Sequence, residues 1–270
     1  MIMPIGREEI VNNEQKFYVL DRPDPTKEFS AARQVGFLRL RHQFNLKGGR
    51  VSNGHEDFRM IRADLTYPTF DHFSFGYKNA VFAVFIDFID EQQNSLTPRR
   101  YIEKLINVAS DNNLVPCLFK IGLSDMKTLT DGWNLFHAVN KMPVVPEEIA
   151  GSNPIRMSEW EYNNWAINVV MKYLDKEILS YCDAPGIFPQ IWFENSQGER
   201  CWILVEHSVF PNVAEIEEGF VPPQPIQCYD GYFAGVSFCY ADQSHPEKQL
   251  FRNSPAYIRY MGLQELWKRR

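Results

Sequence analysis

Six histidines are scattered through the chain: His42, His55, His72, His137, His207 and His245. No HxH, HxxxH or HExxH spacing joins them, so a ready-made zinc motif is missing. Asp71-His72 and Glu206-His207 are adjacent pairs. Neighbours on a strand point to opposite faces, so neither pair is a dyad by itself. Glu206 and His207 stand as the catalytic candidates, against the plainer reading of His207 as a packed or hydrogen-bonded strand residue. The phosphate-cradling GxxxxGK[ST] and GxGxxG patterns and the nucleophile elbow GxSxG do not occur. The anion-binding candidate is instead a basic segment. Arg33, Arg39, Arg41, Lys47, Arg50, Arg59 and Arg62 are opposed only by Glu56 and Asp57 in that stretch. Alternation over 35–44 reads as a strand with Arg39 and Arg41 on one face, about 7 Å apart, where they could engage successive phosphates or carboxylates. Lys47 and Arg50 would flank them. The alternative is a solvated outer face. Asp87, Asp90 and Glu91 close a strongly apolar run, where carboxylates either ligate a metal or solvate the strand end. Trp133 and Trp160 stand among polar neighbours, as partner-binding aromatics do.

A second chemical candidate is the block 158–210. A carboxylate-bearing helix followed by two strands, with Pro189-Gln190 and then Glu206-His207-Ser208, loosely resembles the front half of the PD-(D/E)XK nuclease fold. The resemblance implies a divalent metal, Mg²⁺ or Mn²⁺, held by an Asp and by a Glu-x-Lys on the next strand. Hard cations take oxygen ligands and activate the attacking water. The sequence departs from that pattern twice. Gln190 cannot supply the anionic ligand, and Ser208 cannot replace the lysine. Asp183 and Glu194, with Glu206, are the metal candidates that could stand in. A shared cation requires Glu194 and Glu206 to come within about 5 Å of a common point.

These residues must be held by elements, and periodicity supplies some of them. Residues 1–32 read as a loosely structured segment, with turn chemistry at Asp21-Arg-Pro-Asp-Pro. Ala80–Ile89 is apolar on both faces, as a central strand is. Thr97-Pro98 opens a helix with the stripe Tyr101, Ile102, Leu105, Ile106 and Ala109. A strand returns over 114–122, completing a strand–helix–strand unit at 80–122. Three prolines and a glycine make 141–157 the expected connector. Ser158 and Glu161 form a capping box, opening a helix expected to reach Tyr181. Phe188–Glu194 and Cys201–Phe210 read as a β-hairpin, which makes 158–210 a helix–hairpin unit. Further strands are expected at 232–240 and 256–261, and a helical tail at 264–270. The fold expected is α+β, mixed α/β, with sheet-rich halves each packed on one main helix. The halves are an N-terminal lobe, 33–140, and a C-terminal lobe, 158–270.

Length and composition frame the rest. Two hundred and seventy residues, 44% hydrophobic and 23% charged, suffice for a core without disulfide staples. The net charge of −6 argues against whole-protein attraction to nucleic acid or an anionic membrane. That argument is weaker locally, because the basic segment 33–62 could still meet a nucleic acid. Five cysteines, an odd number without a CxxC spacing, suit free thiols in a reducing cytoplasm. No signal peptide is expected at the N-terminus, and no apolar run reaches the ~20 residues of a spanning helix. Two functions follow. The first is a non-enzymatic interaction or accessory module that binds a protein partner or itself. The second is a metal-dependent phosphodiester hydrolase or nucleic-acid-processing enzyme with a degenerate PD-(D/E)XK-like site.

Overall fold

The computed structural model describes residues 7–11, 15–19, 27–46, 58–62, 73–183, 186–242, 246, 248–252 and 254–269. Along the chain these form β1 (Arg7–Val11), β2 (Gln15–Val19), α1 (Lys27–Leu46), β3 (Phe58–Arg62), β4 (Phe73–Tyr77), β5 (Ala80–Ile89), α2 (Arg99–Asp111), β6 (Val115–Gly122), β7 (Leu135–His137) and α3 (Pro146–Ile149). There follow α4 (Glu159–Tyr173), β8 (Glu177–Tyr181), β9 (Ile187–Phe188), β10 (Ile191–Glu194), β11 (Arg200–Val209), β12 (Asp230–Tyr240) and β13 (Ala256–Trp267). Helices and mixed sheets together make an α+β fold. The chain divides into two compact units. Among the described residues, the first holds α1, β3 to β7, α2 and α3, up to Ile155. The second holds β1, β2 and everything from Arg156 onward.

In the first unit the sheet order is β3-β4-β5-β6-β7. β5 is buried along its whole length and pairs in parallel with β6 through the α2 crossover. The strand expected over 35–44 is instead part of α1. Ala32, Gly36, Leu40 and Gln43 are its buried side, at helical spacing, while Leu38 is 53% exposed. Small residues let this helix approach the sheet closely. A Cβ on Gly36 would lie 2.6 Å from Ile86 Cδ1. Of the expected connector 141–157, residues 141–155 are built into this unit. Val144 N–H donates to the Leu135 carbonyl at 2.8 Å, and Gly151 N–H to Asn79 Oδ1 at 2.8 Å.

In the second unit the sheet order is β13-β12-β11-β10-β8. β8, β10 and β11 form an antiparallel meander, β12 runs parallel to β11, and β13 returns antiparallel. Alternate residues of β11 split the core. Cys201, Ile203 and Val205 meet Ala166, Ile167 and Val170 of α4. Trp202 and Leu204 meet Trp192, Phe233 and Ile226 on the other face. A third sheet, β1-β2-β9, takes up part of the segment 1–32 that was expected to be loosely structured. Three further expectations are corrected here. α4 ends at Tyr173 and not Tyr181, because Ile178 and Tyr181 belong to β8. Phe188–Glu194 is two strands, β9 and β10, parted at Pro189-Gln190. The tail expected to be helical continues β13 to Trp267, whose Nε1–H donates to the Gln227 carbonyl at 3.0 Å.

Candidate functional site

Where β10 stops short of the far end of β11, the sheet opens into a pocket of about 340 Å³. Glu159, Asn163, Phe188, Gln190, Glu206 and His207 are among the residues lining it. The catalytic candidates Glu206 and His207 therefore meet here, although adjacent positions on a strand face opposite ways.

α4 supplies the near wall. Ser158 Oγ accepts the Glu161 N–H at 3.3 Å, and Glu161 Oε2 accepts the Ser158 N–H at 3.1 Å, the reciprocal box expected from the sequence. Glu161 also pairs with Arg252 at 2.8 Å, both side chains being almost wholly buried. That pair fixes the helix start and hence Glu159, which follows the cap. His207 Nε2 lies 3.1 Å from Glu159 Oε1. The hydrogen bond from His207 is the main reason the Glu159 carboxyl sits below the usual range. The imidazole stacks on Tyr162 at 5.6 Å between centroids and meets Phe238 edge-on at 6.4 Å. Glu206 moves the other way. Burial raises its carboxyl above the ordinary value, with Glu159 adding repulsion and His207 offsetting part of it.

The positions the nuclease resemblance would use are occupied by neutral links. Gln190 Oε1 accepts the buried Val205 N–H at 2.8 Å. Ser208 Oγ donates to the Asn212 carbonyl at 3.0 Å and lies 3.0 Å from Ser237 Oγ. The path from β11 to β12 holds only the 3-10 turn Gln224–Ile226, so that fold's second crossover helix is missing among the described residues.

The three metal candidates do not gather. Asp183 is buried, its Oδ2 accepting from Asn164 Nδ2 at 3.1 Å and its carbonyl from Asn163 Nδ2 at 2.8 Å. Glu194 pairs with Arg200 across the hairpin. Glu206 is six residues further along β11, about 20 Å away at roughly 3.3 Å per residue. A common cation for Glu194 and Glu206 is therefore excluded. Among the described residues no three His, Cys, Asp or Glu side chains converge as a metal would require. The donor set does not fit Mg²⁺ or Mn²⁺.

The basic candidates separate as well. Arg39 is tied within the first unit, its Nη2 donating to Thr128 Oγ1 at 3.1 Å and lying 3.7 Å from Asp131. Arg41 is exposed two residues on, which in a helix turns it well away from Arg39. Lys47 and Arg50 lie outside the described residues. The partner-binding assignment of Trp133 and Trp160 is overturned, because both are buried, at 7% and 0%. Trp133 stacks on Phe75 at 5.4 Å and its Nε1–H donates to Glu147 at 3.2 Å. The carboxylates ending β5 order their own loop. Asp87 accepts from Ser95 Oγ at 2.5 Å, and Asp90 Oδ1 from the N–H groups of Gln92 and Asn94.

Sequence reasoning missed Glu159. Its only signal was a place in the first turn after the cap, since nothing in linear spacing ties it to His207. A family described as a domain of unknown function, DUF8840, matches residues 160–266. That span runs from α4 into β13, and includes Gln190, Glu206 and His207. No curated protein and no solved structure matches the chain.

Proposed function

We propose that the chain is a non-enzymatic interaction or accessory module. The observation that carries this reading is the Gln190–Val205 hydrogen bond, 2.8 Å long, at the position where the nuclease resemblance requires an anionic metal ligand. A neutral amide that holds a buried backbone N–H brings no negative charge to a cation, and replacing it would leave that N–H unsatisfied. Ser208 and Glu194 add to the argument, the first neutral and bonded, the second on β10 opposite the far end of β11. The pocket is a half-open concavity that keeps polar groups, which suits recognition.

The reading takes a protein as partner, in preference to nucleic acid, because Arg39 is held by Thr128 and Asp131. With both candidate tryptophans buried, contact falls to other surfaces. Tyr257, Ile258 and Met261 are exposed on the edge strand β13, whose outer backbone groups can receive another strand. A cytoplasmic location is part of the proposal. It is supported by five free cysteines, of which Cys117, Cys182 and Cys201 are buried. No helix among the described residues is long and apolar enough to cross a membrane.

The test is cleavage of single- and double-stranded DNA and RNA by the full chain in Mg²⁺ or Mn²⁺, beside Glu206→Ala. The expected result is no metal-dependent cleavage distinguishing the two proteins. Cleavage abolished by Glu206→Ala overturns the reading in favour of the hydrolase.

A further inference from the structure

At the opposite end of the second unit's sheet from Glu206 lies a second pocket, of about 430 Å³. Four aromatic rings line it: Tyr173 at the end of α4, Phe193 on β10, Tyr232 on β12 and Tyr260 on β13. Phe193 is 3% exposed, so it belongs to the floor, while Tyr173 is 66% exposed and stands at the mouth. Asp175 and Lys176 line it too, with Asn195, Ser196 and Gln197 from the β10–β11 turn.

The rings line an open pocket in two contacting pairs and do not form one flat platform. Tyr173 and Tyr260 are 5.9 Å apart and inclined by 31°, and Phe193 and Tyr232 are 5.6 Å apart and inclined by 58°. A flat base or sugar face is best served by an exposed coplanar surface. Inclined rings suit a rounded group. The pairing of β12 with β13 shifts register between Ala234 and Val236, and Gly262 sits in that irregular stretch at φ +86°. That backbone conformation favours glycine. No heavy atom lies within 4 Å of where its Cβ would be, so the missing side chain leaves the mouth open.

Aromatic faces carry negative potential and hold organic cations, quaternary ammonium groups above all. Lys172 Nζ lies 5.8 Å from the Tyr173 centroid, a contact made by a residue outside the pocket lining. Burial raises the Tyr232 and Tyr260 hydroxyls above their ordinary value, which keeps both rings neutral phenols at physiological pH.

We propose that this pocket is an aromatic cage for a methylated lysine side chain presented by a protein partner. The inference rests on the interaction-module reading and gives it a ligand. Asp175 is the rim carboxylate that a fixed positive charge would meet. Lys176 on the same rim opposes that attraction, so the ring faces must supply the selectivity. A methylated ammonium group is rounded, cationic and poorly hydrated. An unmodified lysine keeps its water shell, and a neutral tert-butyl group lacks the charge.

The experiment is calorimetric titration of the full chain with a short capped peptide carrying trimethyl-lysine. Parallel titrations use the same peptide with unmodified lysine, with a tert-butyl isostere, and choline alone. Trimethyl-lysine is expected to bind about tenfold tighter than either peptide control. Tyr173→Ala should weaken binding about fivefold or more while Tyr173→Phe retains it, because the π face and not the hydroxyl is used. Tyr173 is exposed, so this pair does not depend on core folding. Equal affinity for the isostere, no saturable binding, or choline binding as tightly as the peptide each overturns the proposal. None of these outcomes bears on metal-dependent cleavage, so a failed cage is distinguishable from a failed module reading.

Discussion

Gln190 shows how one side chain decides between two chemistries. An aspartate there would be one methylene shorter and charged. The glutamine reaches Val205 and accepts its N–H at 2.8 Å, while its own backbone bonds Ile203 and Cys182 on either side. It therefore joins β8 and β11 where β10 has not yet begun. Gln190→Ala should leave the buried Val205 N–H unpaired and lower unfolding stability by about 1–3 kcal/mol. Chemical denaturation checks this, and an unchanged midpoint would show that the link is dispensable. His207 teaches a related point. Its ring is held by Glu159, Tyr162 and Phe238, which are spread over α4 and β12. The sequence exposed His207 as a candidate. It could not show the partner, because Glu159 is remote in the chain and only the α4–β11 packing joins them. Trp133 and Trp160 failed for the converse reason. Polar neighbours in sequence did not keep either ring at the surface, since both are buried.

Elements were legible where a strong period and a boundary signal coincided. β5 is apolar apart from Asp87, α2 follows Thr97-Pro98, and α4 follows a true capping box. α1 was misread because its buried side uses Ala32 and Gly36, which carry little hydrophobic signal, while the alternation of Leu38 and Leu40 imitated a strand. β13 was cut short because its last residues have no strand-like alternation. Their place comes from pairing with β12, and that pairing is irregular. The β11–β12 pair depends on another small residue. Gly231 stands opposite Trp202 in the parallel register, and an added Cβ would lie 2.1 Å from the indole. Trp202 is wholly buried and its Nε1–H donates to the Ile226 carbonyl at 3.1 Å, so it has little freedom to retreat. Gly231→Ala should therefore destabilise the protein by about 3 kcal/mol or more. Thermal unfolding tests this, and a loss under about 0.5 kcal/mol would mean the sheet yields easily.

On the scale of the whole molecule, the chain is two α+β units, and the midpoint signal seen in the sequence was real only in part. Pro143 bridges Phe136 and Pro146 opens α3, so this stretch is part of the first unit and not a free tether. The N-terminal strands β1 and β2 belong to the second unit through β9, a long-range pairing that no local pattern announces. Charge separation along the chain also lost its first meaning. Arg39 and Arg41 are turned apart around a helix, and Arg39 is paired with Thr128 and Asp131. What remains is a second unit with two separate concavities, one lined by Glu159, Glu206 and His207, the other by four aromatic rings. The nuclease resemblance predicts that the first holds Mg²⁺ or Mn²⁺. The residues in place do not. The most direct measurement is Mn²⁺ titration of the full chain by calorimetry, with Glu206→Ala alongside. The account predicts no saturable binding with a Kd below about 1 mM, a range equivalent to roughly 4 kcal/mol, and no difference between the two proteins. Tighter binding that disappears in Glu206→Ala would contradict it.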